Sequence, residues 1–94
     1  MASYLKPKLK QMSYEEKEQF VVQTIKANPV LIFSKSYWPY ATKGKKVVAK
    51  TGCKHVIIEL DECGEQRNGD VQQILSKITN IRTVPQIFIV SYSY

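Results

Sequence analysis

The stretch Val30-Leu31-Ile32-Phe33-Ser34-Lys35-Ser36-Tyr37-Trp38-Pro39-Tyr40-Ala41 decides how this chain folds. Its opening apolar run is entered through Asn28-Pro29 and left through polar residues, which predicts a buried strand with a neighbour on each side. Pro39 then opens a helix, because a residue without an N–H loses nothing in a first helical turn. That helix runs from Tyr40 to Thr51 and ends at Gly52. It is intrinsically weak, since Gly44 costs about 1 kcal/mol relative to Ala and Val47-Val48 adds β-branched stiffness. Upstream, Ser13-Tyr14-Glu15-Glu16 is a capping box, with Lys17, Phe20, Val21, Thr24 and Ile25 following at helical spacing until Asn28-Pro29 stops them. Downstream, Val56 to Leu60 reads as a second buried strand. Asp70 is placed to cap a third helix, in which Val71, Ile74, Leu75 and Ile78 repeat at the helical period. Thr83-Val84-Pro85 precedes a last strand, Gln86 to Val90, that runs into Ser91-Tyr92-Ser93-Tyr94. Helices alternating with strands predict an α/β layer around a partly parallel sheet.

The chain has 94 residues, enough for one domain, with 44% hydrophobic and 23% charged residues. Residues 1–12 read as a flexible basic arm and 13–94 as the domain. No apolar run approaches the ~20 residues of a membrane span. Met1 to Gln11 carries no apolar signal-peptide segment, so the sequence reading is cytoplasmic, with no membrane partner. The formal charge is +6, with Lys6, Lys8 and Lys10 in the arm and Lys43, Lys45, Lys46, Lys50 and Lys54 in a second cluster. Neither cluster sits in a nucleic-acid-binding signature, so both read as solvated faces and nucleic acid is not an expected partner. Cys53 and Cys63 are ten apart, with His55 between them, which fits neither a redox pair nor a zinc pattern. No metal is expected, and two thiols outside any redox motif suit a reducing compartment.

Three blocks together resemble the glutaredoxins of the thioredoxin fold: Phe33-Ser34-Lys35-Ser36-Tyr37-Trp38-Pro39-Tyr40-Ala41, Glu59-Leu60-Asp61, and Ile81-Arg82-Thr83-Val84-Pro85-Gln86-Ile87-Phe88-Ile89. The resemblance spans roughly residues 14–90 and implies a thioredoxin-like α/β fold, a mixed central sheet with helices on both faces. It also implies a glutathione-dependent thiol–disulfide oxidoreductase lineage acting in electron transfer and redox homeostasis. Glutathione is then the expected co-substrate, held by Lys35, Tyr40, Gln72, Thr83 and Val84, with the Val84 backbone pairing with the peptide as a short added strand. Pro85 is expected to be cis, as in the family.

Two departures qualify that reading. The family's Cys-Pro-Tyr-Cys is here Trp38-Pro39-Tyr40-Ala41, so both thiols are absent and neither place holds another nucleophile. Without the first sulfur no mixed disulfide forms, and a chain inactive in disulfide exchange is expected. The family's further strand, Gly-Gly-Cys/Ser-Asp segment and final helix do not follow Val90, so a shortened sheet is expected. Its last strand, Gln86 to Tyr94, becomes an uncharged edge that favours a homo-oligomer. Two other functions stand beside the inactive oxidoreductase: a non-catalytic module binding glutathione or a peptide in the inherited groove, and a self-associating scaffold.

Overall fold

The computed structural model describes residues 2–65 and 69–89. Its strands are β1 (Ala2–Tyr4), β2 (Val30–Ser34), β3 (His55–Glu59) and β4 (Gln86–Ile89). Its helices are α1 (Tyr14–Ala27), α2 (Pro39–Lys50) and α3 (Asp70–Thr79), with short 3-10 turns at Leu9–Gln11 and Leu60–Cys63. The sheet order is β1-β3-β2-β4, with β1, β3 and β2 parallel and β4 antiparallel to β2. The apolar run at 30–33 therefore lies between two neighbours, as a strand without polar alternation requires.

Register sorts the sheet into two faces. Leu31, Phe33, Ile58 and Phe88 meet Val21 of α1 and Val71, Ile74 and Leu75 of α3 in one apolar cluster. Phe33 and Phe88 pack edge-to-face, with ring centroids 5.8 Å apart. The opposite face carries Ile32, Ser34, Ile57 and Glu59, paired in register, and Lys45 of α2 reaches down to Glu59 there. Helices thus cover both faces, as the α/β reading expects. Gly44 has a packing reason as well: a Cβ at that position would lie 3.2 Å from Cγ of Pro85, so α2 seats closely on the turn before β4. The Val84–Pro85 peptide bond is cis.

The N-terminal residues differ from the arm expected over 1–12. Ala2–Tyr4 pair with His55–Ile57 as an edge strand, and the Leu5 N–H donates to the Ile57 carbonyl at 3.0 Å. Leu9 is buried in the main cluster. Lys6, Pro7, Lys8 and Lys10 interleaved with the apolar residues hide this pattern, and backbone pairing at a sheet edge needs no particular side chain.

The start of α3 also departs from expectation. Gly69, not Asp70, is the N-cap, and the Glu65 carboxylate accepts from the Val71 N–H at 3.2 Å. Asp70 lies in the first turn and accepts from Lys17 Nζ at 3.1 Å, while Glu65 Oε1 accepts from the same ammonium at 2.6 Å. Lys17, read as one position on an amphipathic helix, is the link between α1 and the start of α3. At the other helix the capping box stands: Ser13 Oγ accepts from the Glu16 N–H and Glu16 Oε1 from the Ser13 N–H.

Candidate functional site

Strand β2 ends at Ser34 and α2 begins at Pro39, so Lys35–Trp38 must turn the chain within four residues. The Trp38 N–H closes that turn on the Lys35 carbonyl at 3.1 Å. Asp61, just beyond β3, accepts from the Ser36 N–H at 2.9 Å and from the Ser36 hydroxyl. Burial pushes the Asp61 carboxyl up, but the Ser36 hydrogen bonds and the neighbouring backbone N–H groups outweigh it and hold the carboxyl below its ordinary value. A depressed carboxylate stabilises the fold above its unfolded value, about 3.9, and that stability is lost as pH falls through the folded value. Acid unfolding below about pH 4 should accordingly be blunted in Asp61→Asn, which itself costs about 1 kcal/mol at neutral pH. An unchanged acid limb would show that the Ser36 contact carries no stability.

Beneath this turn Glu59 is buried. Its Oε1 accepts from Ser34 Oγ at 2.5 Å and from Lys45 Nζ at 2.8 Å, and its Oε2 has no hydrogen-bond partner among the described residues. Lys45, expected on a solvated face, is therefore drawn inward, because a buried carboxylate needs a cation. Lys43, Lys46, Lys50 and Lys54 stay exposed.

Across from the turn, the chain between α3 and β4 is held by two glutamines. Gln86 is buried at the start of β4, and its Nε2 donates to the carbonyls of Ile81 at 2.7 Å and Thr83 at 3.1 Å. Gln72, one of the expected glutathione positions, is also buried, and its Nε2 donates to the Arg82 carbonyl at 3.1 Å. These amides fix the path of Arg82-Thr83-Val84 into the cis bond. Gln86 is a positioning residue that the sequence reading passed over, since one glutamine at a strand start gives no signal until its carbonyl partners are known.

Between the two segments lies a groove of about 340 Å³ lined by Lys35, Tyr37, Trp38, Gln72, Arg82, Thr83 and Val84. Gln72 and Arg82 also border a second depression of about 570 Å³ against Gln73 and Ser76. Of the expected glutathione positions, Lys35, Gln72, Thr83 and Val84 thus lie on one groove. Tyr40 stands outside that lining, on the exposed side of α2, with its ring 5.8 Å from Trp38 and under Lys43 Nζ at 5.8 Å. Arg82 was not singled out in the sequence, although it precedes Thr83 directly. Two cations and no carboxylate border the groove among the described residues, which suits an anionic ligand.

The redox positions hold no sulfur. Trp38 is the N-cap of α2 and makes no side-chain cap, and Ala41 is fully buried in the first turn. Cys63 is buried under Leu60, where burial and then the Glu62 and Asp61 carboxylates push its thiol up, away from the thiolate. Cys53 is exposed beyond α2. His55 is packed at the start of β3, with Nδ1 2.9 Å from the Cys53 carbonyl. No cluster of His, Cys, Asp or Glu among the described residues could hold a metal ion, and no helix among them is long and apolar enough to cross a membrane.

A family model for glutaredoxin matches residues 30–91. The chain belongs to the glutaredoxin family. It is 39% identical over 67 residues to a glutaredoxin of Ricinus communis, matching 71% of this chain and 64% of that protein. Glutaredoxin-C8 of Oryza sativa subsp. japonica is 40% identical over 75 residues, 78% of this chain and 54% of its own length. The chain thus spans between half and two-thirds of the length of these relatives. The buckwheat glutaredoxin–glutathione complex superposes with a TM-score of 0.70 at 34% identity, covering 81% of this chain and 67% of that one. Oxidized glutaredoxin 2 from Chlamydomonas reinhardtii gives 0.70 at 29% identity, covering 83% and 72%. The thioredoxin-like glutaredoxin fold read from the three sequence blocks is therefore the fold of this chain.

Proposed function

We propose that this glutaredoxin-family domain binds glutathione, or a peptide like it, in the groove between Lys35 and Val84, and performs no thiol–disulfide exchange. The observation that carries the reading is the convergence of Lys35, Gln72, Arg82, Thr83 and Val84 on one groove whose helix end presents Trp38. Lys35 and Arg82 supply charge for two carboxylates, and the exposed Thr83 edge next to Val84 supplies backbone groups for an extended peptide. Trp38 offers a thiol no acid–base partner and no sulfur to attack, so binding is expected in the millimolar range and turnover at background. Trp38 is the chain's only tryptophan, so its fluorescence reads the titration directly. A low-micromolar dissociation constant, or glutathione-coupled reduction of a disulfide by the unaltered chain, would contradict this reading. Placement in the cytoplasm belongs to it, on the argument that an exposed Cys53 suits a reducing compartment.

Self-association is a second reading, favoured by the position of β4. This strand is an edge among the described residues, and its Ile87 and Ile89 are exposed on the α2 face of the sheet. Residues 90–94, part of the strand expected to carry the contact, lie outside the described residues. A homodimer is expected by light scattering at high concentration, dissociating in Ile89→Lys. A monomer at every concentration would remove this reading without touching the first.

A further inference from the structure

The groove has an end that glutathione itself would leave unused. Along its length stand charged and hydrogen-bonding groups, Lys35, Arg82, Gln72 and the Thr83-Val84 backbone. At the α2 end stand aromatic rings instead: Trp38 and Tyr37 both line the groove, and Tyr40 lies against Trp38 with centroids 5.8 Å apart. All three side chains are exposed, Trp38 to 41% and Tyr37 to 63%. A thiol set against these rings finds no sulfur to exchange with, whereas an apolar group there covers ring surface that water otherwise wets.

Resting on the glutathione reading above, we propose that the preferred ligands are S-substituted glutathiones, thioethers in which the cysteinyl sulfur carries an apolar or aromatic group. The peptide part meets Lys35 and Arg82 with its carboxylates, and the substituent stacks on Trp38 and Tyr37. A thioether has neither an S–H to ionise nor an S–S to cleave, so no covalent step is needed and the absence of sulfur at Trp38 and Ala41 is consistent with the ligand. The open outer side of these rings leaves room for substituents of different size, so the site selects the peptide part closely and the substituent by apolarity. Of the other clusters in the molecule, Lys17–Glu65–Asp70 and Ser34–Glu59–Lys45 are internal ion pairs, and neither is bordered by a groove of mixed charge and aromatic surface.

Titration calorimetry with glutathione, S-methylglutathione and S-benzylglutathione on the whole chain tests this. S-benzylglutathione is expected to bind about tenfold or more tightly than glutathione, the increment that one well-placed ring contact supplies, with S-methylglutathione close to glutathione. In Trp38→Ala that preference should fall below about twofold, while Trp38→Phe should keep most of it, and circular dichroism of both variants confirms that they fold. Equal affinity for all three ligands, or a preference that survives Trp38→Ala, overturns the inference and leaves the glutathione reading standing. Binding of none of them, on a folded chain, overturns both.

Discussion

Trp38→Cys is expected to raise glutathione-dependent disulfide exchange on the order of 10²-fold above the parent chain. A sulfur at that place would sit at the N-terminus of α2, a helix of 12 residues, beside Lys35. The helix dipole and the lysine both favour the thiolate, which is the attacking species. Part of the gain is ionisation, since an ordinary thiol is only a few per cent thiolate at neutral pH. The rest is position, because the Lys35–Val84 groove would hold the glutathionyl group against the sulfur. The thiolate attacks the glutathione sulfur of a mixed disulfide between glutathione and a substrate thiol, a protein–glutathione disulfide forms, and the substrate leaves as a thiolate. A second glutathione then releases the protein sulfur, so the single substitution is sufficient for turnover.

The control is the pair Cys53→Ser and Cys63→Ser on the same background. Activity of Trp38→Cys should survive both, since Cys63 is buried with its thiol held protonated and Cys53 lies beyond the far end of α2. Activity of Trp38→Cys no greater than the parent, or lost with either serine, would show that the groove does not assemble a glutathione site around position 38. Adding Ala41→Cys is expected to change the rate less than the first substitution, because position 41 is fully buried and a thiol there acts only on a sulfur already bonded.

The largest expected loss of stability follows Lys17→Met, about 3–5 kcal/mol. Lys17 Nζ bonds to Glu65 at 2.6 Å and Asp70 at 3.1 Å, and the Lys17 and Glu65 side chains are only 10% and 4% exposed. Removing the ammonium leaves the Glu65 carboxylate buried without its ion-pair partner among the described residues, and that carboxylate also holds the Val71 N–H at the start of α3. Since native domains are stable by only about 5–15 kcal/mol, the substitution should consume a large part of the total. Lys17→Met with Glu65→Gln removes both charges, and the pair should cost at least 1 kcal/mol less than the sum of the singles. Denaturant unfolding measures all four chains. A single-variant cost under 1 kcal/mol would mean that the ion pair is worth no more than an exposed one.

The same group sets an alkaline limit. Burial pushes the Lys17 ammonium down, but Glu65 and Asp70 outweigh it and raise the value above that of an ordinary lysine. A raised folded value means that the contribution is complete below the unfolded value, about 10.4. It is lost as pH rises through the folded one. The parent should therefore lose stability above about pH 10.5 more steeply than Lys17→Met.

Much of this molecule was legible in one dimension. Local rules placed α1, α2, β2 and β4 to within a residue or so, since a capping box, a first-turn proline, a stop at Asn28-Pro29 and an apolar run between breakers act over a few residues. Lys35, Gln72, Thr83 and Val84 were named through the resemblance of their sequence blocks to the glutaredoxins, and the fold brings them to one groove. Pairing was not legible. The strand at Ala2–Tyr4 forms because β3 offers it an open edge, and nothing in its own side chains requires that. The inward turn of Lys45 depends on Glu59, 14 residues away, and that of Lys17 on Glu65 and Asp70, 48 and 53 away. Gly69 rather than Asp70 caps α3 because Lys17 claims the aspartate and Glu65 takes the Val71 N–H. The amides of Gln72 and Gln86 point inward for the same kind of reason: the carbonyls of Ile81, Arg82 and Thr83 must find donors once that turn is folded against α3. Patterns of apolar residues and turn formers are properties of neighbours along the chain and determine elements, whereas a buried charge or amide is satisfied by whatever partner the folded sheet and helices bring to it, and only the tertiary structure decides which.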